Sequence, residues 1–293
     1  MNFFNKLFLL TFCCLAYSLN SMAAKVDTIE MKSEKMQKMV KAAVVTPHSY
    51  TANQSAYPVL YLLHGGTGSF RDWLNSVPDK QLLHKLADQY NIIIVTPDGG
   101  PASYYFDSPL DSSSQYETFI AKELIGQIDA SYRTIKDKKG RIIAGLSMGG
   151  HGAMYIATRH PELYSAVGSM SGVMDINTAT WKVPDEFAKS RAENFVKLLG
   201  PAKEGAVPYP GHTIIDMSDE LKASGLAIIF DCGVDDFLIE TNRHLHQLLV
   251  DNKTPHDYIE RPGMHNWEYW ENALYYQMLF FHKVLALNGV TIL

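Results

Sequence analysis

A serine flanked by glycines, Ser147 in the stretch GLSMG at residues 145–149, stands where an apolar run gives way to a helix-like segment. A serine hydroxyl becomes an effective nucleophile only when a neighbouring base accepts its proton. On a sharp turn from strand to helix, its oxygen projects above the sheet and the flanking glycines leave room for the backbone. We therefore interpret Ser147 as the nucleophile of an acyl-transfer site. The alternative interpretation is a serine that only caps the helix.

A base and an acid are expected later in the chain, because this type of sheet places its catalytic groups in the order serine, acid, histidine. Among eleven histidines the preferred base is His265, in a loop before the final helical segment. The acid is expected in GVDDF, where Asp235 and Asp236 follow an apolar run. A carboxylate there accepts the imidazole N–H and sets its tautomer. We favour Asp236, with Asp235 as the alternative.

The glycine-rich stretch HGGTG at residues 64–68 follows the apolar run PVLYLL and suits an oxyanion hole. Backbone N–H groups approach a substrate oxygen closely where side chains are absent. We assign one donor to Gly66 and the other to Met148, the residue after the nucleophile. His64 is then structural. A phosphate-binding turn is the competing interpretation, but the lysine and helix that such a turn needs do not follow.

The elements that must position these residues alternate in type along the chain. Short apolar runs that end in Gly, Ser or Asp, such as NIIIVTPDGG, alternate with helical patterns, as buried parallel strands do. Two alternating stretches near the start predict an antiparallel pair of strands. The predicted fold class is therefore α/β, with a mainly parallel central sheet flanked by helices. Ligands bind beyond the carboxyl ends of such strands, where the candidate residues cluster.

Residues 172–215 depart from this alternation, because they are polar, rich in Pro and Gly, and only weakly helical in pattern. We predict an insertion that covers the strand ends, and a lid is one interpretation of it. Trp181 lies in it, Tyr105 follows the motif TPDGG, and Trp267 lies beside His265. These three aromatic residues are predicted to bind substrate. The alternative is that they are ordinary core residues.

Residues 1–23 have the pattern of a secretory signal peptide, with Lys6, an apolar run over residues 7–19, and small residues at 21 and 23. We expect one catalytic domain over residues 24–293, exported to the periplasm or secreted. No apolar run of 18 residues remains after the signal, so stable membrane insertion is not expected. The sequence does not indicate an oligomeric state.

The net charge is −5, and loss of residues 1–23, which contain Lys6 and no acid, leaves −6. A negative surface disfavours nucleic acid as a partner, so a small-molecule or oligosaccharide ester is expected instead. Cys13 and Cys14 leave with the signal, and Cys232 alone remains. An internal disulfide and a cysteine-based metal site are therefore excluded. We expect no metal and no other cofactor.

Several motifs together resemble the esterase D-like group of α/β-hydrolases, which includes feruloyl and acetylxylan esterases, S-formylglutathione hydrolases, siderophore esterases and mycolyltransferases. The motifs are PVLYLLHGG, TPDGG with the later YFDSP, YETFIAKELIGQIDASYRT, GLSMGGHGA, CGVDDFL and PGMHNW, in the order of the family, across most of residues 40–288. The resemblance implies an α/β-hydrolase fold, with nucleophile Ser147, acid Asp236 and base His265. Relatives often carry a bulky apolar residue where Gly66 stands, which leaves the acyl side of the pocket undefined.

The resemblance implies a serine carboxylesterase that acts through an acyl-enzyme. Feruloyl or acetyl esters on plant cell-wall polysaccharide are the leading substrate hypothesis. Acyl transfer of the mycolyltransferase type, and a siderophore or S-formylglutathione hydrolase, are the alternatives within the family. A binding protein on an inactive hydrolase scaffold is the alternative outside enzymes.

Overall fold

The structure, a computed structural model, describes residues 24–205 and 207–290. The predicted signal peptide at residues 1–23 lies outside the described residues. Eight strands form one sheet: β1 (Lys25–Ser33), β2 (Lys38–Thr46), β3 (Val59–Leu63), β4 (Ile93–Pro97), β5 (Arg141–Leu146), β6 (Ala166–Met170), β7 (Ala227–Gly233) and β8 (Asp257–Arg261). Their spatial order is β1-β2-β4-β3-β5-β6-β7-β8.

The sheet is mainly parallel, as the sequence predicted. The pairs β1–β2 and β2–β4 are antiparallel, which confirms the expected antiparallel strands near the start. Every pairing from β4 through β3 to β8 is parallel. Parallel strands are buried on both faces, which explains why β3 to β6 read as short continuous apolar runs in the sequence.

Helices connect the strands and cover both faces of the sheet. The α-helices are α1 (Ser49–Ala52), α2 (Asp72–Asn75), α3 (Leu82–Tyr90), α4 (Tyr116–Thr118), α5 (Ile125–Ser131), α6 (Met148–Arg159), α7 (Asp185–Leu199), α8 (Ser218–Ala223), α9 (Ile239–Asp251) and α10 (Trp267–Leu287). A π-helical segment (Phe119–Leu124) joins α4 to α5, and short 3₁₀ turns lie at Lys138–Gly140 and Thr178–Thr180. Within the described residues, no helix is both long and apolar enough to span a membrane.

The core consists of two apolar layers, one on each face of the sheet. Alternation along β3 shows the division, because successive side chains of a strand point to opposite faces. Tyr61 and Leu63 belong to the layer under the π-helical segment, α6 and α9. Leu60 and Leu62 belong to the layer under α3 and α10. The doubly covered sheet holds the carboxyl ends of β3, β5, β7 and β8 in place, and the candidate residues follow these ends.

Residues 172–215 form an insertion that packs against the loop after β4. The weakly helical pattern of this segment did not predict a long helix, but α7 spans fifteen residues. Phe195 and Leu198 of α7 are buried in the core layer of α6, and such packing rather than intrinsic propensity stabilises most helices. Asn194 donates a hydrogen bond to the Ala102 carbonyl (2.9 Å). Ser108 donates another to the Leu198 carbonyl (2.6 Å). That the insertion moves as a lid remains a prediction.

Candidate active site

Ser147 occupies a sharp turn between β5 and α6. Its φ of 52° and ψ of −118° lie outside the regions that L-residues normally adopt. Its N–H donates a hydrogen bond to the Met170 carbonyl at the end of β6 (2.9 Å), and its carbonyl accepts one from the His151 N–H (3.1 Å). Strained backbone of this kind persists where the surrounding structure holds it, and it concentrates at functional sites.

The glycines of GLSMG allow this turn because β5, α6 and β3 approach too closely for side chains. A Cβ atom on Gly145 would lie 2.4 Å from the Gly149 carbonyl oxygen. A Cβ atom on Gly149 would lie 2.5 Å from the His64 carbonyl oxygen and 2.7 Å from the Leu63 carbonyl oxygen. These neighbours are backbone atoms, so the helix can relieve the contact only by moving away from the sheet.

Gly149→Ala is therefore expected to lower the free energy of unfolding by about 1–3 kcal/mol, the usual cost of forcing an extra group into packed structure. Gly126→Ala is the matched control, because a Cβ atom there meets nothing within 4 Å and the position lies in α5. That control is expected to stabilise the protein by about 0.5–1 kcal/mol. Urea unfolding of both variants measures the difference, and equal effects would contradict the steric explanation.

The structure brings Ser147, His265 and Asp236 together at the carboxyl edge of the sheet. The distance from Ser147 Oγ to His265 Nε2 is 2.9 Å, and that from His265 Nδ1 to Asp236 Oδ2 is 2.8 Å. With Nδ1 protonated, the imidazole donates to the carboxylate and its Nε2 accepts from the serine hydroxyl. The Asp236 side chain is fully buried, and its second oxygen accepts the Leu238 N–H (2.9 Å). This arrangement can deprotonate the hydroxyl during attack.

The loop of Asp236 and the loop of His265 are joined directly. The Val234 N–H donates to the Arg261 carbonyl, and the Asp235 N–H donates to the Gly263 carbonyl, each at 2.9 Å. A Cβ atom on Gly233 would lie 2.3 Å from the Gly263 oxygen, so only glycine permits this approach. The junction leaves the Asp235 side chain exposed. Of the two aspartates that the sequence left open, the structure therefore places Asp236 against the base.

The two predicted oxyanion donors lie beside the serine. Gly66 and Met148 line the same cavity as Ser147, and Met148 is the first residue of α6. N–H groups in the first turn of a helix have no acceptor within the helix. Among the described residues, neither the Gly66 N–H nor the Met148 N–H donates to a backbone or side-chain acceptor. A Cβ atom on Gly66 would have a single near neighbour, the Pro101 oxygen at 3.9 Å, so this side of the cavity is open.

Two buried histidines near the site are held by backbone groups. His64 Nδ1 contacts the Gly65 carbonyl (2.7 Å), and its Nε2 accepts the Gly99 N–H (2.8 Å). His151 Nε2 contacts the His212 carbonyl of the insertion (2.9 Å). Burial lowers the pKa of both side chains, that of His151 to about 4. Both are therefore neutral near pH 7 and hold loops in place. In the part of the chain that the structure describes, no cluster of three or more His, Cys, Asp or Glu residues could hold a metal ion.

A cavity of about 380 Å³ lies above Ser147 and His265. Its wall is mostly apolar and aromatic, with parts from the β3–α2 loop, the insertion and the start of α10. Two of the three aromatic residues that the sequence singled out, Trp181 and Trp267, line it. Further lining residues that the sequence reasoning missed are Asp72, Val173, Phe187, Arg191, Phe237 and Trp270.

Tyr105 lies elsewhere, and the prediction that it lines the substrate site is wrong. Its side chain is fully buried, and its hydroxyl donates to the His64 carbonyl (3.1 Å). The ring fills space that Gly99 and Gly152 leave, since a Cβ atom on either glycine would lie within 2.4 Å of it. The neighbouring Tyr104 lines the cavity instead.

Aromatic rings surround His265. The His265 ring lies 4.5 Å from that of Phe237 and 4.9 Å from that of Trp270, and Trp270 packs edge-on against Trp267. Phe237 directly follows Asp236 in the sequence, and this adjacency is the one signal from which its place in the cavity lining could have been predicted. These contacts restrict the rotation of the imidazole and keep it between the serine and the aspartate.

A family model described as "Putative esterase" matches residues 33–281. The chain belongs to this esterase family. The match confirms the predicted resemblance, and with it the prediction of a carboxylic ester hydrolase. The fold of the esterase, with its mostly parallel sheet between helices, is that of solved members of the group.

The known proteins that are similar to this chain match different fractions of its length. It is 25% identical over 224 residues to an acetyl esterase of Caldicellulosiruptor saccharolyticus, covering 73% of this chain and 79% of that protein. It is 31% identical over 165 residues to an endo-1,4-beta-xylanase/feruloyl esterase of Xylanibacter ruminicola, covering 54% of this chain but 23% of that longer protein. The solved structure of a ferulic acid esterase matches 90% of this chain and 99% of its own, with a TM-score of 0.74 and 30% identity.

Proposed function

We propose that the protein hydrolyses carboxylic esters through an acyl-enzyme on Ser147, and that its substrates are feruloyl or acetyl esters of plant cell-wall polysaccharide. One observation carries the mechanism: the hydroxyl, imidazole and carboxylate of Ser147, His265 and Asp236 form a continuous hydrogen-bonded chain at the floor of an open cavity. Export of the protein rests on the pattern of residues 1–23 and remains a prediction.

In the proposed mechanism, Ser147 Oγ attacks the ester carbonyl while His265 Nε2 takes its proton. The imidazolium then gives this proton to the leaving alcohol, and the acyl group stays on the serine. Water, deprotonated by the same nitrogen, releases the acid and restores the hydroxyl. The buried carboxylate of Asp236 stabilises the imidazolium during both steps.

The negative oxygen that forms on the attacked carbonyl is proposed to accept the N–H groups of Gly66 and Met148. Both amides line the cavity beside the nucleophile, and both lack acceptors among the described residues. Removing one donor from such a site typically costs about 3–4 kcal/mol of barrier. The N-terminus of α6 adds its partial positive charge to the same place.

The aromatic wall supports the proposed substrate class. Trp181 and Trp267 line the cavity beside the triad, and aromatic lining of this kind suits the ring of a feruloyl group or the face of a sugar. Relatives that carry feruloyl esterase and acetyl esterase in their names agree with this choice. The volume of about 380 Å³ is within the range that holds a small organic ligand.

The proposal is tested by incubating the protein with an aryl acetate, methyl ferulate and a feruloylated arabinoxylan fragment, beside the Ser147→Ala variant. The expected result is release of acetate or ferulate from all three by the unmodified protein and from none by the variant. Chromatography of the released acid measures it. Turnover of the aryl acetate without release from the saccharide would refute the polysaccharide assignment and leave the esterase mechanism standing.

A further inference from the structure

Arg191 is a cation of the catalytic cavity that has no counter-ion in the protein. It lies on α7 of the insertion, half-buried, and lines the cavity together with Phe187 and Trp181. Its guanidinium carbon lies 4.9 Å from the centre of the Phe187 ring, one helical turn earlier. The sequence did not indicate a role for Arg191 or for Phe187.

No carboxylate lies within ion-pairing distance of Arg191 among the described residues. By contrast, Arg141, Arg159 and Arg243 each contact the carboxylate of an acidic residue at 2.7–2.9 Å. The sequence of α7 explains the difference. Neighbours on the same helix face lie three and four positions away, and around Arg191 they are Phe187, Ala188, Asn194 and Phe195.

The Phe187 ring is the one contact that this cation makes among the described residues, and it leaves the guanidinium N–H groups free for an anion. A half-buried guanidinium has lost part of its hydration, and its flat array of donors matches a carboxylate. Asp72 also lines the cavity, but it comes from the β3–α2 segment and accepts the Ser69 hydroxyl (3.0 Å). The cavity thus carries an unpaired positive charge on the wall of the insertion and a hydrogen-bonded negative charge on a separate segment.

We propose that Arg191 binds a carboxylate carried by the ester substrate and so selects acidic esters over neutral ones of the same shape. The inference rests on the proposed function, because it specifies the substrate class of that site. The carboxylate can belong to the acyl part of the ester or to the alcohol part, such as an acidic sugar beside the acylated one. The remaining wall is aromatic and apolar, so it accepts the uncharged body of either kind of ester.

Two matched pairs of esters distinguish these sources. Para-carboxyphenyl acetate and para-carbamoylphenyl acetate differ in charge on the alcohol side. The mono-para-nitrophenyl ester of glutaric acid and its carbamoyl counterpart differ in charge on the acyl side. For at least one of the two pairs, we expect the kcat/KM of the acid divided by the kcat/KM of the amide to be about ten or more in the unmodified protein. A gain of this size is usual for a charge-assisted hydrogen bond.

Arg191→Gln is expected to bring that ratio close to one, and Arg191→Lys to restore part of it, because lysine keeps the charge without the planar donors. Lys197→Gln is the control, since Lys197 is an exposed cation of the same helix outside the cavity lining. It should keep the ratio of the unmodified protein. A ratio near one in both pairs, or a ratio that survives Arg191→Gln, would overturn the inference.

Binding to the Ser147→Ala variant separates this inference from the proposed function, since it needs no turnover. Tryptophan fluorescence follows the binding of para-acetamidobenzoate, glutaric acid monoanilide and their neutral amides. At least one acid is expected to bind about tenfold more weakly when Arg191→Gln is added to Ser147→Ala. Arg191-dependent binding without ester hydrolysis would refute the proposed function alone. Ester hydrolysis with binding that ignores Arg191 would refute this inference alone.

Discussion

Replacing Ser147 with alanine is expected to lower kcat on an aryl acetate by about 10⁵- to 10⁶-fold, because every bond change of the proposed mechanism passes through its oxygen. The residual rate above that in water comes from the oxyanion donors and from substrate binding. Stopped-flow and steady-state assays of released phenol measure the loss. Labelling by a fluorophosphonate probe should disappear with it.

The fold should survive this substitution. Alanine keeps the Cβ atom of serine, so the unusual φ of 52° at this position is no more strained than before. Ser76→Ala serves as control, because Ser76 is an exposed serine outside the cavity lining. It should retain full activity and probe labelling. An active Ser147→Ala variant with unchanged melting temperature would place the nucleophile elsewhere and refute the mechanism.

Replacing Asp236 with asparagine is expected to lower kcat by about 10⁴-fold, the second largest effect. An asparagine NH₂ facing His265 Nδ1 donates where the carboxylate accepted. The imidazole then carries its proton on Nε2, which points at Ser147 and can no longer accept from it. The single amide oxygen of the asparagine then faces Leu238 and can still accept the N–H that Asp236 accepts at 2.9 Å, so the loop should keep its conformation.

Asp235→Asn is the matched control, since it makes the same chemical change one residue earlier on an exposed side chain. Its kcat/KM should stay within about twofold, as for most exposed substitutions away from a site. Parallel assays on methyl ferulate compare the two variants. Loss of activity in Asp235→Asn with retention in Asp236→Asn would reverse the assignment of the acid.

Family membership narrows what these experiments need to decide. The match over residues 33–281 establishes a carboxylic ester hydrolase, so the experiments test which residue is the nucleophile and which ester is the substrate. The Ser147→Ala and Asp236→Asn variants address the nucleophile and its partners. The ester panel and the Arg191 variants address the substrate, and they do so with measurements that succeed or fail independently.

Local sequence was sufficient for features that depend on neighbouring residues. The glycines around Ser147 predicted the sharp turn, because a turn without space for Cβ atoms can be read from residue types alone. Continuous apolar runs predicted buried parallel strands for a similar reason, since burial on both faces leaves no polar alternation. The order of serine, acid and histidine followed from the order of strands.

Tertiary contacts decided the rest. Asp235 and Asp236 are the same residue type at adjacent positions, and only the approach of Gly233 to Gly263 directs one of them to His265. Tyr105, which was expected to bind substrate, is buried because Gly99 and Gly152 leave interior space for its ring, and its neighbour Tyr104 lines the cavity. These outcomes depend on which surfaces meet after folding, and residue type and spacing carry no information about that.

The same reason explains why Arg191 escaped notice. On a helix pattern it is one more charged residue in a polar segment, and such residues are usually solvated. Its place in the cavity arises because α7 packs its Phe195 and Leu198 into the core layer of α6, which turns the Phe187 and Arg191 side of the helix toward the triad. The sequence by itself determined the sheet, the strained serine and the order of the catalytic groups. The packing of the insertion alone decided which charge lines the cavity, because that contact joins segments with no shared local pattern.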